Sequence, residues 1–486
     1  MSQLDPVQTA ALDFARGKPG VGFFMEQGLG KTLTVLAEFW NLLAGWPTHC
    51  AADRMIVVCP NSFKKGWVEE VEKHNLQYLT MIYRSNQKAD AGKFMALQGH
   101  SAPPVLIINY EAIRRLDVLK AVCAWASKGK TYLTVDESIQ IKGHRSRQTK
   151  ALHKLAPLCA FTRILTGRPQ SQGPQDLWGQ LRVIGLFPDT NFYAFRGAFC
   201  VMGGWQQKEV VRSQNEEMLA TMMAPAVFYA KKKDWLPDLP RKDATIREYK
   251  MTGEQKRQYD QMEKSFLLYL ENNQAVTVDV AIAKFEKLAQ IQTGFIYDEE
   301  GTVHELVKPA DNPRLILLKQ ILDEETEGKV CIVYRHRPVA RLLFDSLIDL
   351  KPAYISGKMA PDAVESQKKL FNEDPACRII LLQAEASKYG HTLLGGPGAD
   401  DKCRTMVFFE NSYSADTRDQ IEDRIHRRGQ TGERVLYIDL SGSDLDRRIV
   451  KALQRKDELY RSVFKNLKVA EPCSPESSQE SLSQSA

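Results

Sequence analysis

The chain contains 486 residues, more than one hydrophobic core usually supports, so two or three domains are expected. Hydrophobic residues make up 43% and charged residues 26%, as in ordinary globular proteins, and no apolar run of about 18 residues is present that would span a membrane. The net charge is +6 and rises to +9 without the last sixteen residues, which hold three Glu and no Lys or Arg. This charge is compatible with a polyanionic partner without requiring one.

The nine cysteines are scattered without a C-x-x-C pair, which disfavours a zinc or redox centre and favours free thiols in a reducing compartment. The N-terminus lacks the basic and apolar regions of a signal peptide. We therefore expect a soluble protein in a reducing cytosol.

The first element pair is a strand that leads into a glycine-rich loop and then a helix. Residues 25–32 read M-E-Q-G-L-G-K-T, which matches a phosphate-binding loop except that Met25 replaces its first glycine. Lys31 is predicted to reach the β- and γ-phosphates and Thr32 to ligate Mg²⁺, at a helix N-terminus that favours negative charge. The residues predicted to bind the nucleotide here are Gly28, Leu29, Gly30, Lys31 and Thr32.

Short apolar strands alternate with amphipathic helices through most of the chain. This alternation predicts an α/β protein with parallel sheets, whose ligands bind beyond the carboxyl ends of the strands. The strands predicted in the first half are residues 22–25, 55–59, 105–108, 132–135 and 163–166. Those predicted in the second half are residues 330–334, 353–355, 379–382, 405–409 and 435–439.

A helical stretch separates the two halves, with helices predicted at residues 254–272 and 280–293. The layout predicts a first α/β domain over residues 1–190, a helical insertion that includes the end of this domain over 191–300, a second α/β domain over 301–470, and a disordered tail over 471–486.

An acidic pair directly follows the apolar strand at residues 132–135. A carboxylate at this position can hold the metal ion that bridges the phosphates, and its neighbour can activate water. We assign Asp136 to Mg²⁺ and Glu137 to the role of general base. An acidic pair alone is usually an exposed turn, and it is the phosphate loop upstream that favours the functional interpretation.

The second half ends in the segment Q-x-x-D-R-x-x-R-x-G-Q, residues 420–430. Arg424 and Arg427 are three residues apart, so on a helix they would share one face. Two guanidinium groups directed at the γ-phosphate would stabilise the charge that develops during transfer. A salt-bridged surface helix is the competing interpretation, because Glu422 and Asp423 lie beside them.

Taken in order, these motifs resemble helicase superfamily two, and within it the SWI/SNF-type DNA-dependent ATPases in their compact phage and bacterial form. The resemblance rests on residues 4–8, 25–32, 57–60, 136–142, 165–169, 176–178 and 420–430. It implies two RecA-like domains, ATP with Mg²⁺ bound between them, and double-stranded or forked DNA as partner. With this resemblance we expect a monomer in the cytoplasm of a bacterium or of a phage-infected host, or in the nucleus if the organism is eukaryotic. Gln8 would read the adenine, and Gln420, Arg424 and Arg427 would act on the γ-phosphate. Arg168 departs from the family, which usually has Thr there.

The resemblance also implies a DNA-binding surface formed by polar loops after several strands. Small polar groups and a few cations at such positions suit phosphate contact without base readout. The residues assigned to DNA are Asn61, Ser62, Lys64, Asn109, Tyr110, Arg335, Ser356, Gly357, Ser387 and Lys388.

The most direct function for this set of motifs is an ATP-driven motor that moves along duplex DNA. Three alternatives stay open on the sequence: a strand-separating or fork-remodelling DNA helicase, an RNA-directed helicase, and an ATP-gated DNA clamp without significant turnover.

Overall fold

The computed structural model describes residues 3–45, 51–84, 102–203, 209–251, 253–272, 278–357, 359–388, 392–398, 401–411, 415–443 and 447. These residues form two compact units, which divide between Pro237 and Asp238. Among the helices within these ranges, none combines the length and the apolar content that crossing a lipid bilayer would require.

The first unit contains a sheet whose described strands all run parallel. Its strands are β1 (Gly20–Met25), β2 (Arg54–Cys59), β3 (Leu79–Ile82), β4 (Pro104–Asn109), β5 (Thr131–Asp136) and β6 (Phe161–Thr166), with β7 (Cys200–Gly203) and β8 (Glu209–Ser213) as a separate antiparallel pair, and β9 (Val227–Ala230). The described strands of the sheet are ordered β3-β4-β2-β5-β6-β1-β9.

Helices cover both faces of this sheet. They are α1 (Pro6–Ala15), α2 (Lys31–Leu43), α3 (Lys64–Lys73), α4 (Tyr110–Ile113), α5 (Leu116–Ala126), α6 (Arg147–Leu155), α7 (Trp178–Val183), α8 (Phe192–Phe199), α9 (Glu216–Met223) and α10 (Lys232–Trp235). Successive residues of β2 enter two different hydrophobic clusters, Met55 and Val57 on one face and Ile56 and Val58 on the other. A strand that is buried on both faces is expected in a parallel sheet between two helical layers.

The second unit contains a second parallel sheet. Its strands are β10 (Arg241–Glu248), β11 (Phe295–Tyr297) and β12 (Val303–Glu305) as an antiparallel hairpin, β13 (Lys329–Tyr334), β14 (Ala353–Ile355), β15 (Ile379–Gln383), β16 (Cys403–Phe408) and β17 (Arg434–Ser441). Its helices are α11 (Gly253–Asn272), α12 (Val278–Thr293), α13 (Pro313–Gln320), α14 (Arg337–Ser346), α15 (Pro361–Glu373) and α16 (Ala415–Glu422). The described strands of the sheet are ordered β10-β17-β16-β13-β15-β14.

The predicted α/β fold with two parallel sheets is confirmed, and each predicted strand is present with ends that shift by at most two residues. The division between the units differs from the predicted boundaries at residues 190 and 300. Strand β9 pairs with β1 of the first sheet, whereas β10 pairs with β17 of the second. The stretch predicted as one insertion is therefore shared between the two units. The tail from residue 471 lies outside the described residues.

Candidate active site

The glycine-rich loop joins β1 to α2 and has the backbone of a phosphate-binding loop. Gly28 and Gly30 have φ values of 87° and 79°, in the left-handed region that glycine adopts without strain. A Cβ atom on Gly30 would lie 2.0 Å from Nε2 of Gln8, so a larger residue would displace this side chain. Gln8 is buried in the first turns of α1, and its Nε2 donates to the carbonyl of Gly30 at 3.4 Å. The residue predicted to read adenine thus lies against the phosphate loop.

Met25 shows why the first glycine of the strict pattern is dispensable here. It is the last residue of β1, and its side chain is fully buried in the hydrophobic cluster on one face of the sheet. Its carbonyl accepts a hydrogen bond of 2.8 Å from Nζ of Lys31. The lysine of the loop is therefore already oriented by the strand that precedes it.

Asp136 lies at the carboxyl end of β5 and is buried. Its Oδ2 accepts from Nε1 of Trp67 at 2.9 Å, and its Oδ1 accepts from the backbone N–H of Glu137 at 3.0 Å. Burial raises the pKa of Asp136, while the bond from Trp67 and the positive charge of Lys31 act in the opposite direction. Since β6 alone separates β5 from β1 in the sheet, the acidic pair and the lysine of the loop converge at one edge.

The residues at this edge fit a magnesium nucleotide. Thr32 in the first turn of α2 and Asp136 both offer oxygen ligands, which Mg²⁺ prefers. Each carboxylate oxygen of Asp136 accepts one N–H bond among those described, which leaves lone pairs for a metal ion. Glu137 has a φ of 51°, a left-handed conformation that is costly for a residue other than glycine and is typical of functional sites.

The residues of the first unit that were predicted to bind DNA lie at the carboxyl ends of β2 and β4 and directly after them. Asn61 is exposed and Ser62 half-buried, both in a 3₁₀ turn before α3. Lys64 is half-buried, its Nζ donates to the carbonyl of Tyr83 at 3.1 Å, and burial lowers its pKa.

Two of the predicted DNA residues have buried side chains instead of exposed ones. The hydroxyl of Tyr110 donates to the carbonyl of Asp136 at 2.6 Å, and Nδ2 of Asn109 donates to Oε2 of Glu111 at 2.6 Å. Asn109 is the last residue of β4 and Tyr110 directly follows it. Because this strand is covered on both faces, both side chains enter the core. Tyr110 thus supports the backbone of the acidic pair. Its position directly after a strand is equally compatible with this role and with DNA contact, so the sequence alone did not separate the two.

The structure corrects the prediction that Arg424 and Arg427 share one helical face. Helix α16 carries Gln420 but ends at Glu422, and both arginines lie in the turns that follow. The backbone N–H of Leu393 donates to the carbonyl of Arg424 at 3.0 Å. If the helix continued, this carbonyl would instead accept a hydrogen bond from a backbone N–H four residues further along the helix. Arg424 is buried and Arg427 is half-buried, so their exposure also differs.

A network of charges that the sequence did not reveal fixes this arginine segment to the second sheet. Arg418 of α16 donates to Asp439 of β17 at 2.6 and 3.1 Å and to Glu422 at 2.7 Å. The other carboxylate oxygen of Glu422 pairs with Nζ of Lys242 in β10 at 3.1 Å. Arg418 and Glu422 form an ordinary i,i+4 pair, but Asp439 and Lys242 are 17 and 180 residues from Glu422, and no spacing rule connects them to it.

The connector between β9 and β10, residues 231–240, is bonded to both motif segments. At its start, the backbone N–H of Lys232 donates to Oε2 of Glu26 in the phosphate loop at 2.7 Å. At its end, the carbonyl of Pro240 accepts from Nε2 of His426 in the arginine segment at 2.8 Å. Each contact lies within one unit, and neither could be predicted from residue spacing.

Arg335 follows β13 and pairs with a carboxylate of α12. Its Nη2 donates to Oε1 of Glu286 at 2.7 Å, and the neighbouring His336 lies between Oε1 of Glu410 at 2.6 Å and Oε2 of Glu286 at 3.4 Å. Arg335 was predicted to bind DNA, and any phosphate would compete with Glu286 for it. Glu410 directly follows the predicted strand 405–409, so the rule that located Asp136 could also have located it.

The remaining predicted DNA residues of the second unit lie in loops after β14 and β15. Ser356 and Gly357 follow β14, and the N–H of Gly357 donates to Oε1 of Gln383 at 2.9 Å. Nε2 of Gln383, the last residue of β15, in turn donates to the carbonyl of Arg335 at 3.0 Å. Gln383 therefore links the loop after β14 to the loop after β13. The backbone of Ser387 and Lys388 belongs to a 3₁₀ turn, and their side chains lie outside the described residues.

A phosphate loop and an acidic pair that meet at the carboxyl edge of a parallel sheet define a nucleoside-triphosphate-binding α/β protein. The family comparison makes this specific, because the model of the SNF2-related domain matches residues 15–297. The chain belongs to this SNF2-related family.

Individual relatives are similar over most of this chain. It is 22% identical over 480 residues to the chromatin structure-remodeling complex subunit snf21 of Schizosaccharomyces pombe, a match that covers 93% of this chain and 38% of the relative. It is 21% identical over 453 residues to an uncharacterized ATP-dependent helicase of Mycoplasma genitalium, covering 90% of this chain and 40% of the relative. The chain thus spans about two-fifths of the length of these curated relatives.

The solved structure of the Sulfolobus solfataricus SWI2/SNF2 ATPase core in complex with dsDNA is also similar, with a TM-score of 0.42 and 19% sequence identity, over 96% of this chain and 94% of that one.

Proposed function

We propose that this protein hydrolyses ATP in a reaction stimulated by double-stranded DNA and uses the energy to move along or remodel the duplex. The observation that carries the proposal is the convergence of Lys31 and Asp136 at one edge of the first sheet, close enough for the lysine charge to affect the pKa of the carboxyl. A cation for the phosphates and a buried carboxylate for their metal ion are the two groups that a P-loop ATPase needs there.

The roles of the first unit follow from its geometry. The backbone N–H groups around Gly28 and Gly30 would hold the β-phosphate, and Lys31 would exchange its bond to the carbonyl of Met25 for phosphate oxygens. Mg²⁺, held through Thr32 and Asp136, would neutralise charge on the β- and γ-phosphates. Glu137 would accept a proton from the water that attacks the γ-phosphorus, and ADP would leave as the bond to its β-phosphate oxygen breaks.

The roles of the second unit stay as the resemblance assigns them. Gln420, Arg424 and Arg427 would act on the γ-phosphate, with the arginines stabilising the charge of the transition state. The network around Glu422 supports this assignment because it restricts the segment that carries all three side chains.

The choice of DNA as partner rests on family membership and on the relatives, whose names refer to chromatin remodelling and to an ATP-dependent helicase. Asn61 and Ser62 in the first unit and Arg335 with Gly357 in the second are the positions best suited to backbone phosphates. Contacts to backbone phosphates position a protein on the duplex without reading its sequence.

The test is the rate of ATP hydrolysis with duplex, single-stranded and forked DNA and with RNA. We expect duplex DNA to stimulate the rate most strongly, and Lys31→Ala to abolish turnover because phosphate binding and charge neutralisation are both lost. The matched control is Lys73→Ala, which removes an exposed lysine of α3 that pairs only with Glu70 among the described contacts.

Other results would select other functions. Absence of turnover with every nucleic acid would contradict the enzymatic proposal and favour the ATP-gated clamp, and stimulation by RNA alone would favour the RNA helicase. A strand-displacement assay beside a triplex-displacement assay separates strand opening from movement along an intact duplex.

A further inference from the structure

Gln180 is a fully buried polar residue of α7 that joins two loops of the first unit. Its Oε1 accepts from the hydroxyl of Ser138 at 2.7 Å. Its Nε2 donates to the carbonyl of Pro169 at 2.5 Å and to that of Asp176 at 2.8 Å. Both amide N–H groups and the carbonyl of this side chain are thereby used, so its orientation is fixed.

The first of these loops is the turn that carries the acidic pair. Ser138 follows Glu137, whose left-handed backbone directs the chain into the 3₁₀ helix Ser138–Ile141. Helix α7 lies so close to this turn that a Cβ atom on Gly179 would be 2.2 Å from the carbonyl oxygen of Ile141. Gly179 therefore allows the close approach, and Gln180 makes the hydrogen bond that results from it.

The second loop follows β6 and touches the phosphate loop. A Cβ atom on Gly167 would lie 3.3 Å from the backbone nitrogen of Gln27, next to Gly28. The loop is closed by Asp176, whose Oδ2 accepts from the N–H groups of Ser171 and Gln172, both at 2.8 Å. Gln180 thus connects the loop that contacts the phosphate loop with the turn that carries Glu137.

We propose that Gln180 is a positioning residue for ATP hydrolysis, which holds Glu137 in register with the phosphate loop. This inference rests on the proposed function. Gln180 lies one hydrogen bond away from each loop and acts through Ser138 and Pro169. An apolar side chain of similar volume would fill its site but leave the Ser138 hydroxyl and the Pro169 carbonyl without these partners. A general base that shifts by about 1 Å loses about a hundredfold in rate.

The test compares Gln180→Met, Ser138→Ala and the double variant by kcat and KM for ATP at saturating duplex DNA. We expect kcat to fall by about tenfold to a hundredfold in Gln180→Met. The KM should stay within about twofold, because Gln8 and the phosphate loop are unchanged. The double variant should be no slower than Gln180→Met, since both changes remove the same link.

The matched control is Gln148→Met on α6, whose amide donates to the carbonyl of Gln140 at the other end of the same turn. Tryptophan fluorescence during urea unfolding reports whether each variant keeps the stability of the first unit. If Gln180→Met does not fold, Ser138→Ala, which removes one hydroxyl, decides the question.

An unchanged kcat in Gln180→Met would overturn the positioning role, and so would a rate loss equal to the loss of folded protein. Strictly additive losses in the double variant would also contradict the link. Absence of turnover in the unmodified protein would instead overturn the proposed function itself, and this is measured first.

Discussion

Deprotonation of His336 should lower the free energy of unfolding of the second unit as the pH rises from neutral to alkaline. It lies between Glu410 and Glu286, with a side chain that is only 15% exposed. Burial alone lowers the pKa of His336, but the charges and hydrogen bonds of the two carboxylates outweigh it and raise the pKa from 6.5 to about 9. The same contact holds the pKa of Glu410 and of Glu286 below the usual value, although burial opposes it.

The difference between 6.5 and about 9 corresponds to about 3 kcal/mol of stabilisation. Because the pKa is higher in the folded state, this contribution is complete below pH 6.5, decreases above it, and is lost as the pH passes 9. We therefore expect the free energy of unfolding of the second unit to fall by about 3 kcal/mol between pH 6 and pH 10. His336→Gln should remove most of this decrease.

The assay is urea unfolding at a series of pH values, followed by two probes. All seven tryptophans precede Asp238, so tryptophan fluorescence reports the first unit alone, while far-UV circular dichroism reports both units. The control variant is His304→Gln, which breaks an exposed pair with Asp298 and should alter neither probe. An equal alkaline loss in His336→Gln, or a flat profile in the unmodified protein, would refute the reasoning.

Two further predictions concern the active site. Arg427→Ala should lower kcat by about a thousandfold or more while the affinity for a fluorescent nucleotide stays within a few-fold, because an arginine acting on the γ-phosphate stabilises mainly the transition state; normal hydrolysis in this variant would contradict its assignment. Tyr110→Phe removes the hydrogen bond to the carbonyl of Asp136 and should lower kcat by about fivefold to tenfold without weakening duplex binding, measured by fluorescence anisotropy. The opposite pattern, weaker duplex binding with an unchanged kcat, would show that Tyr110 contacts DNA, as the sequence predicted.

Most of the buried strands could be predicted from the sequence because each is a short apolar run between polar loops, although the buried strand β9 was missed. The edge strand β10 could not, since its sequence R-K-D-A-T-I-R-E is mostly polar and its alternate residues are exposed. Edge strands often carry charge, which prevents pairing with other chains and also removes the apolar signal. Strands β9 and β10 both lie in the stretch predicted as a helical insertion, and they belong to different sheets.

The phosphate loop and the acidic pair could likewise be located, because their residues are close in sequence and directly follow strands. The partners that hold them could not. Trp67 reaches Asp136 from a helix 69 residues away, and Gln180 reaches Ser138 over 42 residues. Arg335 shows the same limit, since its partner Glu286 lies 49 residues upstream on a different element.

The connector at residues 231–240 is short and is fastened at both ends. Its first end is held by the carboxylate of Glu26 and its second end by the imidazole of His426. Loss of the side chain of Glu26 or of His426 would therefore release one end of the connector from a motif segment without altering the loop lysine or the arginines.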